Sequence, residues 1–306
     1  MRLVFAGTPA VAVPALHELA RGPHQIAAVI TREDAELGRK RILTPSPVAS
    51  AAQDLRLATI KANRLDASVT ERVADLSPDL GVIVAYGGLV REPLLSLPRH
   101  GWINLHFSLL PRWRGAAPVQ RAVIAGDAVT GASVFQLVPE LDAGAVFAEA
   151  TRAIGPAETS GEVLDALAGV GARLLATTVD AIAAGTAHAS PQAGSPTLAP
   201  KLTIDDARID LSGDAGHAFD RIRGVTPEPG AFVMLGDQRF KILEASPAPE
   251  EAGLAPGRLA LRDKRILVGT GTHALELITV QPAGRRPMPA ADWWRGVTDA
   301  AEVVLS

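Results

Sequence analysis

The 306-residue chain has no cysteine. Disulfides, thiolate nucleophiles and cysteine-based metal sites are therefore excluded, and the absence fits a reducing compartment. Aromatic residues make up 4% of the chain, with a single tyrosine, while alanine is abundant, a composition that suits helices packed closely on a sheet. No run of about 18 apolar residues is unbroken, so no membrane span is expected. The opening stretch MRLVFAGTPAVAVPAL lacks an extended basic segment and is interrupted by Gly and Pro, which predicts a first strand and not a secretion signal. The seven histidines are scattered, without His-x-His or His-Glu-x-x-His spacing, so no metal is expected. After the first run, Gly7 is followed by no G-x-G-x-x-G, and no G-x-x-x-x-G-K-[ST] occurs anywhere, so a nucleotide fingerprint is missing. A net charge of −3 gives no overall attraction for nucleic acid.

What is present is an alternation. Apolar runs at 2–6, 25–31, 80–85 and 102–106 predict strands covered on both faces, and helical patterns at 47–57 and 66–76 lie between them. Together they predict an α/β fold with a Rossmann-like, mostly parallel, doubly wound sheet. Residues 159–185 predict one long helix. Thr159 and Glu162 form a capping box, Val163, Leu167, Val170, Leu174 and Ile182 keep near-helical spacing, and Gly185 ends it. The stretch SPQAGSPTLAPK (190–201) reads as a linker. Beyond it, short strands at 231–235, 238–245, 257–261, 265–269 and 274–280, separated by turn residues, predict a small OB-like β-barrel. The expected organisation is a catalytic domain at 1–190, a linker at 191–204 and a β-barrel domain at 205–306.

One stretch carries the candidate chemistry: NLHFSLLPRWRGAAP, residues 104–118. Asn104 and His106 are two apart on a strand and share one face. They stand near the strand's carboxyl end, where open α/β sheets bind ligands. A lone His106 reads equally as a satisfied core residue; the pair before a Pro-terminated loop points to a site. Asp142, in ELDAGAVF between two strand candidates, suits a hairpin turn. It is also a candidate carboxylate to orient the imidazole. The basic clusters at 38–41, at Arg112 and Arg114 around Trp113, and at Arg285–Arg286 each read, alone, as solvated surface.

Taken in order, FAGTP, TPSPV, VAYG, INLHFSLLPRWRGAAPVQRAVIAGD, LDAG, KLTIDDARIDLS and TVQPAGRRPM resemble the methionyl-tRNA formyltransferase family over essentially the whole chain. The resemblance implies transfer of a formyl group from 10-formyltetrahydrofolate, a co-substrate used without a metal, to the α-amino group of methionine on initiator tRNA. It implies Asn104, His106 and Asp142 as the catalytic trio. It also implies folate contacts at Ser108, Leu109, Leu110 and Pro111 and at the Tyr86–Gly87 turn. Attack of an amine on a formyl carbon develops an oxyanion, for which the Asn104 amide and an imidazole N–H are the expected donors, with His106 also moving the proton. Residues 207–306 carry 12 Lys/Arg against 13 Asp/Glu, so tRNA must be held by local basic groups. Those implied are Arg39, Lys40 and Arg41 after the second strand, with Arg285 and Arg286. A cytoplasmic monomer is expected. A formyltransferase acting on a small amine such as a nucleotide sugar, a 10-formyltetrahydrofolate hydrolase and a non-catalytic folate- or RNA-binding module share parts of the pattern. The intact trio argues against the last.

Overall fold

A computed structural model describes residues 1–38, 40–297 and 303–306. Arg39 therefore lies outside the described residues. The chain divides into two bodies, one made of Met1–Pro118, Thr130–Arg152 and Leu164–Ala199, the other of Val119–Val129, Ala153–Val163 and Pro200–Ser306.

In the first body the chain runs β1 (Arg2–Gly7), α1 (Val13–Arg21), β2 (Gln25–Thr31), a hairpin of β3 (Ala35–Leu37) and β4 (Ile42–Thr44), and α2 (Pro47–Asp54). It continues through β5 (Thr59–Lys61), α3 (Ala67–Asp75), β6 (Leu80–Val84), β7 (Trp102–His106) and β8 (Arg114–Gly115). α4 (Pro118–Ile124), which beyond Pro118 belongs to the second body, is followed by β9 (Val129–Gln136), β10 (Val146–Ala153), α5 (Ser160–Ala184), whose first turn also belongs to the second body, and β11 (Leu198–Ala199). The apolar runs are strands because both faces are covered: Leu3, Val4, Phe5 and Ala6 are fully buried, as are Leu80, Val82 and Val84. The seven-stranded sheet has the order β10-β9-β7-β6-β1-β2-β5. β5, β2, β1, β6 and β7 run parallel, and β9 joins β7 antiparallel. The carboxyl ends of β1, β6 and β7 thus share one edge, and the site is built there. Gly7 ends β1 because a Cβ would fall 2.9 Å from the Val84 carbonyl.

The predicted capping box forms: Glu162 accepts from the Thr159 N–H at 2.8 Å, and Thr159 Oγ1 accepts from the Glu162 N–H at 3.3 Å. Gly185 leaves the helix at φ 70°. α5 is long and apolar enough, by length and composition, to cross a membrane, although no unbroken apolar run marks it in the sequence. Its apolar stripe is instead buried at Val163, Leu167, Ala172, Leu175 and Val179. Gly171 stands where a Cβ would meet the Leu105 side chain at 3.0 Å, so the helix lies close on β7. The stripe differs from the expected one, since Val170 and Leu174 flank it half-buried. The stretch 190–201 is no free tether either. Ser190 exchanges backbone hydrogen bonds with Val146, and β11 pairs in parallel with β8.

In the second body, α6 (Ala215–Gly224) precedes β12 (Phe232–Leu235), β13 (Gln238–Ala248), β14 (Leu259–Arg262), β15 (Arg265–Val268), β16 (Ala274–Gln281), β17 (Met288–Pro289) and α7 (Ala290–Trp294). The strands form a curled antiparallel sheet in the order β12-β13-β16-β15-β14, with β17 on β16. Phe219, Ile222, Phe240, Ile242, Val268, Leu275 and Leu277 fill its core. The small β-barrel expected from the turn-punctuated strands is what these residues build.

Candidate active site

β7 delivers Asn104 and His106 to the carboxyl edge of the sheet, with Asn104 opposite Ile83 and Phe135, and His106 opposite Ser133. Asn104 is half-buried, and its side-chain amide has no hydrogen-bond partner among the described residues. It remains free for a ligand.

His106 is 6% exposed. Its Nε2 lies 2.8 Å from the Trp113 carbonyl oxygen, and since a carbonyl only accepts, Nε2 carries the proton. Nδ1 then presents its lone pair, 3.8 Å from the Asp142 carboxylate. Burial pushes the imidazole below its ordinary value, while the Asp142 charge and the Trp113 hydrogen bond pull it back. The ring is neutral near pH 7. Its N–H is committed to Trp113, so the expected second oxyanion donor is not free; what His106 offers is a proton acceptor.

The loop after β7 is held from several sides. The Leu110–Pro111 peptide is cis. Ser108 Oγ donates to the Arg112 carbonyl at 2.6 Å. Ser133, fully buried, accepts from the Leu110 N–H at 3.2 Å, and its single proton lies between the Ser108 carbonyl at 2.7 Å and a Glu149 carboxylate oxygen at 2.9 Å. Trp113 adopts φ 61°, and from that conformation its carbonyl meets His106. Trp113 N donates to Thr197 Oγ1 at 2.9 Å. Gly115 follows at φ 126°, where a Cβ would sit 2.7 Å from the Ala199 carbonyl.

Asp142 also holds a left-handed φ, 46°. Its Oδ2 accepts from the Gly115 N–H at 2.7 Å, tying the carboxylate to the loop that carries Trp113. Gly144 is required by proximity and not by turn type, since a Cβ there would lie 1.7 Å from the Gln136 carbonyl oxygen. Gln192 Nε2 donates to the carbonyls of Asp142 and Gly144 at 2.8 and 2.9 Å, and its Oε1 accepts from Arg114. Ala85, Trp113 and Asp142 hold positive φ at the site, as Arg41, Arg56, Ser77, Asp263 and Lys264 do elsewhere; Asp tolerates the conformation, whereas a bulky Trp does so at a cost.

The other expected site residues fall differently. Leu110 lines a cleft of about 380 Å³ together with Val146, Phe147, Glu149 and Gln192. Tyr86 is 2% exposed, its hydroxyl donates to the Ala62 carbonyl at 2.7 Å, and its ring belongs to the apolar core. Its side chain is therefore not free to meet a ligand. The carbonyls of Tyr86 and Gly87 each accept one bond, from Thr8 Oγ1 and Arg32 Nη2, so what this turn can offer a ligand is its backbone. Lys40 and Arg41 lie exposed at the β3–β4 hairpin beside the exposed side chains of Leu37, Ile42 and Leu43, and Arg41 pairs with Glu36. Arg285 and Arg286 are exposed after β16 in the second body. Ser133, Arg114 and Gln192 carry no signal of a site in the sequence. Arg114 stands out there only as part of a basic cluster, and Gln192 sits in the supposed linker, 50 residues from its partner Asp142.

Relatives of known activity share this chain's pattern from end to end. The formyl transferase family matches residues 1–179, and the formyl transferase C-terminal domain matches 201–298. The chain is 65% identical over 306 residues to the methionyl-tRNA formyltransferase of Leifsonia xyli subsp. xyli, covering all of both chains. It is 63% identical over 298 residues to that of Clavibacter sepedonicus, covering 97% of this chain and 98% of the relative. Among solved structures it is similar to WlaRD, a sugar 3N-formyl transferase crystallised in the presence of dTDP and 5-N-formyl-THF. That likeness has a TM-score of 0.70 at 12% identity, covering 94% of this chain and 99% of the other, and concerns the fold.

Proposed function

The chain belongs to the methionyl-tRNA formyltransferase family, and on that premise we propose how its site acts. It transfers the formyl group of 10-formyltetrahydrofolate to the α-amino group of methionine on initiator tRNA, in support of translation initiation. The amine nitrogen attacks the formyl carbon, and the carbonyl oxygen gains charge as the new C–N bond forms. The unpartnered Asn104 amide is the donor for that oxygen; removal of one such donor costs about 3 kcal/mol in comparable acyl transfers. His106 Nδ1 takes the proton released by the attacking nitrogen and returns it to N10 of the folate as the old C–N bond breaks. Asp142 stabilises the imidazolium between these steps. Ser108–Pro111 lines the folate beside the reacting carbon. Arg285 and Arg286 of the second body, and the cations Arg39, Lys40 and Arg41, hold the tRNA. The enzyme works in the cytoplasm as a monomer.

The observation that carries this reading is the free Asn104 amide on the same strand face as a neutral His106 whose open nitrogen faces Asp142. The test is formyl transfer from 10-formyltetrahydrofolate to charged initiator tRNA, assayed beside an amino-sugar nucleotide and a reaction lacking any amine. Formylation of the tRNA alone is expected. Preference for the sugar, or formate release without an amine, would replace the acceptor proposed here.

A further inference from the structure

Gln192 belongs to none of the motifs that carry the family resemblance, and the chemistry above gives it no task. Its amide is nonetheless fully engaged. Nε2 spends both protons, on the carbonyls of Asp142 and Gly144, and Oε1 accepts from Arg114 Nε at 3.1 Å and Nη2 at 2.6 Å. A guanidinium only donates and carbonyls only accept, so the amide has one orientation here; flipped, it would set like groups against each other on both sides. Arg114 thereby dictates which end of Gln192 meets Asp142. The two carbonyls it holds flank Ala143, in the turn where Asp142 keeps φ 46°. Asp is one of the few non-glycine residues that adopt this conformation, so what the bonds from outside add is a fixed direction for the turn and its carboxylate. Gly115 N–H fixes the carboxylate and Gln192 fixes the backbone that bears it.

We propose that Gln192 is a positioning residue for formyl transfer, acting through Asp142 by holding its turn so that the carboxylate faces His106, with Arg114 setting the direction of the amide. This rests on Asn104, His106 and Asp142 being the reacting site.

The test uses the full-length enzyme and steady-state formylation of charged initiator tRNA, with Gln192→Ala, Gln192→Glu, Gln192→Met, Asp142→Ala and the double variant Gln192→Glu/Asp142→Ala. Glu keeps the size and the bond to Arg114 but has no N–H to give; Met keeps the length and serves should the Ala variant fail to fold. A misplacement of about 1 Å can cost about a hundredfold, so Gln192→Glu and Gln192→Met are expected to lower kcat at least about tenfold, with folate KM within about threefold and circular dichroism showing an intact fold. In the Asp142→Ala background, Gln192→Glu should cost less than about twofold more, because residues that act through one another are not additive. Near-normal kcat in Gln192→Glu would reduce the residue to an anchor for Arg114 and overturn the proposal. So would a full, multiplicative loss in the double variant. If Asp142→Ala itself keeps near-normal kcat, the assignment of the reacting site falls, and this inference with it.

Discussion

His106 Nδ1 stands 3.8 Å from the Asp142 carboxylate, while the opposite ring nitrogen is bonded to the Trp113 carbonyl at 2.8 Å. One nitrogen fixes the tautomer and the other is left to exchange protons beside a negative charge.

This arrangement makes Asn104, His106 and Asp142 one unit. Alanine at any of the three should lower kcat by about a hundredfold or more, as loss of an oxyanion donor or an acid–base group does. Circular dichroism should show an intact fold. A His106→Ala enzyme with near-normal turnover and a native melting curve would remove the imidazole from the mechanism.

The imidazole's titration is also specified. Burial holds His106 below its ordinary value and Asp142 partly offsets this, so its NMR-detected midpoint should fall below about 6.5. In Asp142→Asn the midpoint should move lower still, because the partner charge is gone. The unfolded chain then binds the proton first as pH falls. His106 consequently weakens folding stability from about pH 6.5 downward, through the folded-state value. A midpoint that rises in Asp142→Asn would contradict the assigned cause.

Ser133 is a buried bracket for the loop expected to line the folate, bonded to the Ser108 carbonyl and the Leu110 N–H. Ser133→Ala leaves the Leu110 N–H without its acceptor and takes the shared proton from the Ser108 carbonyl and Glu149, and should cost about 1–3 kcal/mol in urea denaturation, with a raised KM for the folate. Unaltered stability and KM together would mean that the loop needs no such bracket.

Binding of tRNA should rest on few cations, given the near balance of charge in residues 207–306. Replacing Lys40, Arg41, Arg285 and Arg286 singly by Ala should flatten the plot of log K against log salt by about 0.7–0.9 for each phosphate left without its cation. Folate affinity should not change. Parallel salt slopes for wild type and all four variants would return these residues to ordinary solvated surface. Arg41 should have the smallest effect, because its guanidinium already pairs with Glu36.

Features that depend on local order are legible along the chain. Periodicity separates strands buried on both faces from helices, the Thr159–Glu162 pair marks the start of α5, and a two-residue spacing puts Asn104 and His106 on one face. Those properties follow from backbone geometry within a few residues. Partners far apart in the chain meet only on folding. Nothing along the sequence reveals that Trp113 bends its carbonyl onto His106, that the lone tyrosine is consumed by the core, or that Gly144 is there because Gln136 leaves no room for a Cβ. Nor does a segment rich in Pro, Ser and Gly announce that its Gln192 will saturate its hydrogen bonds on Asp142, Gly144 and Arg114. A hydrogen bond selects its partner by position in space, and that position exists only once the sheet has assembled.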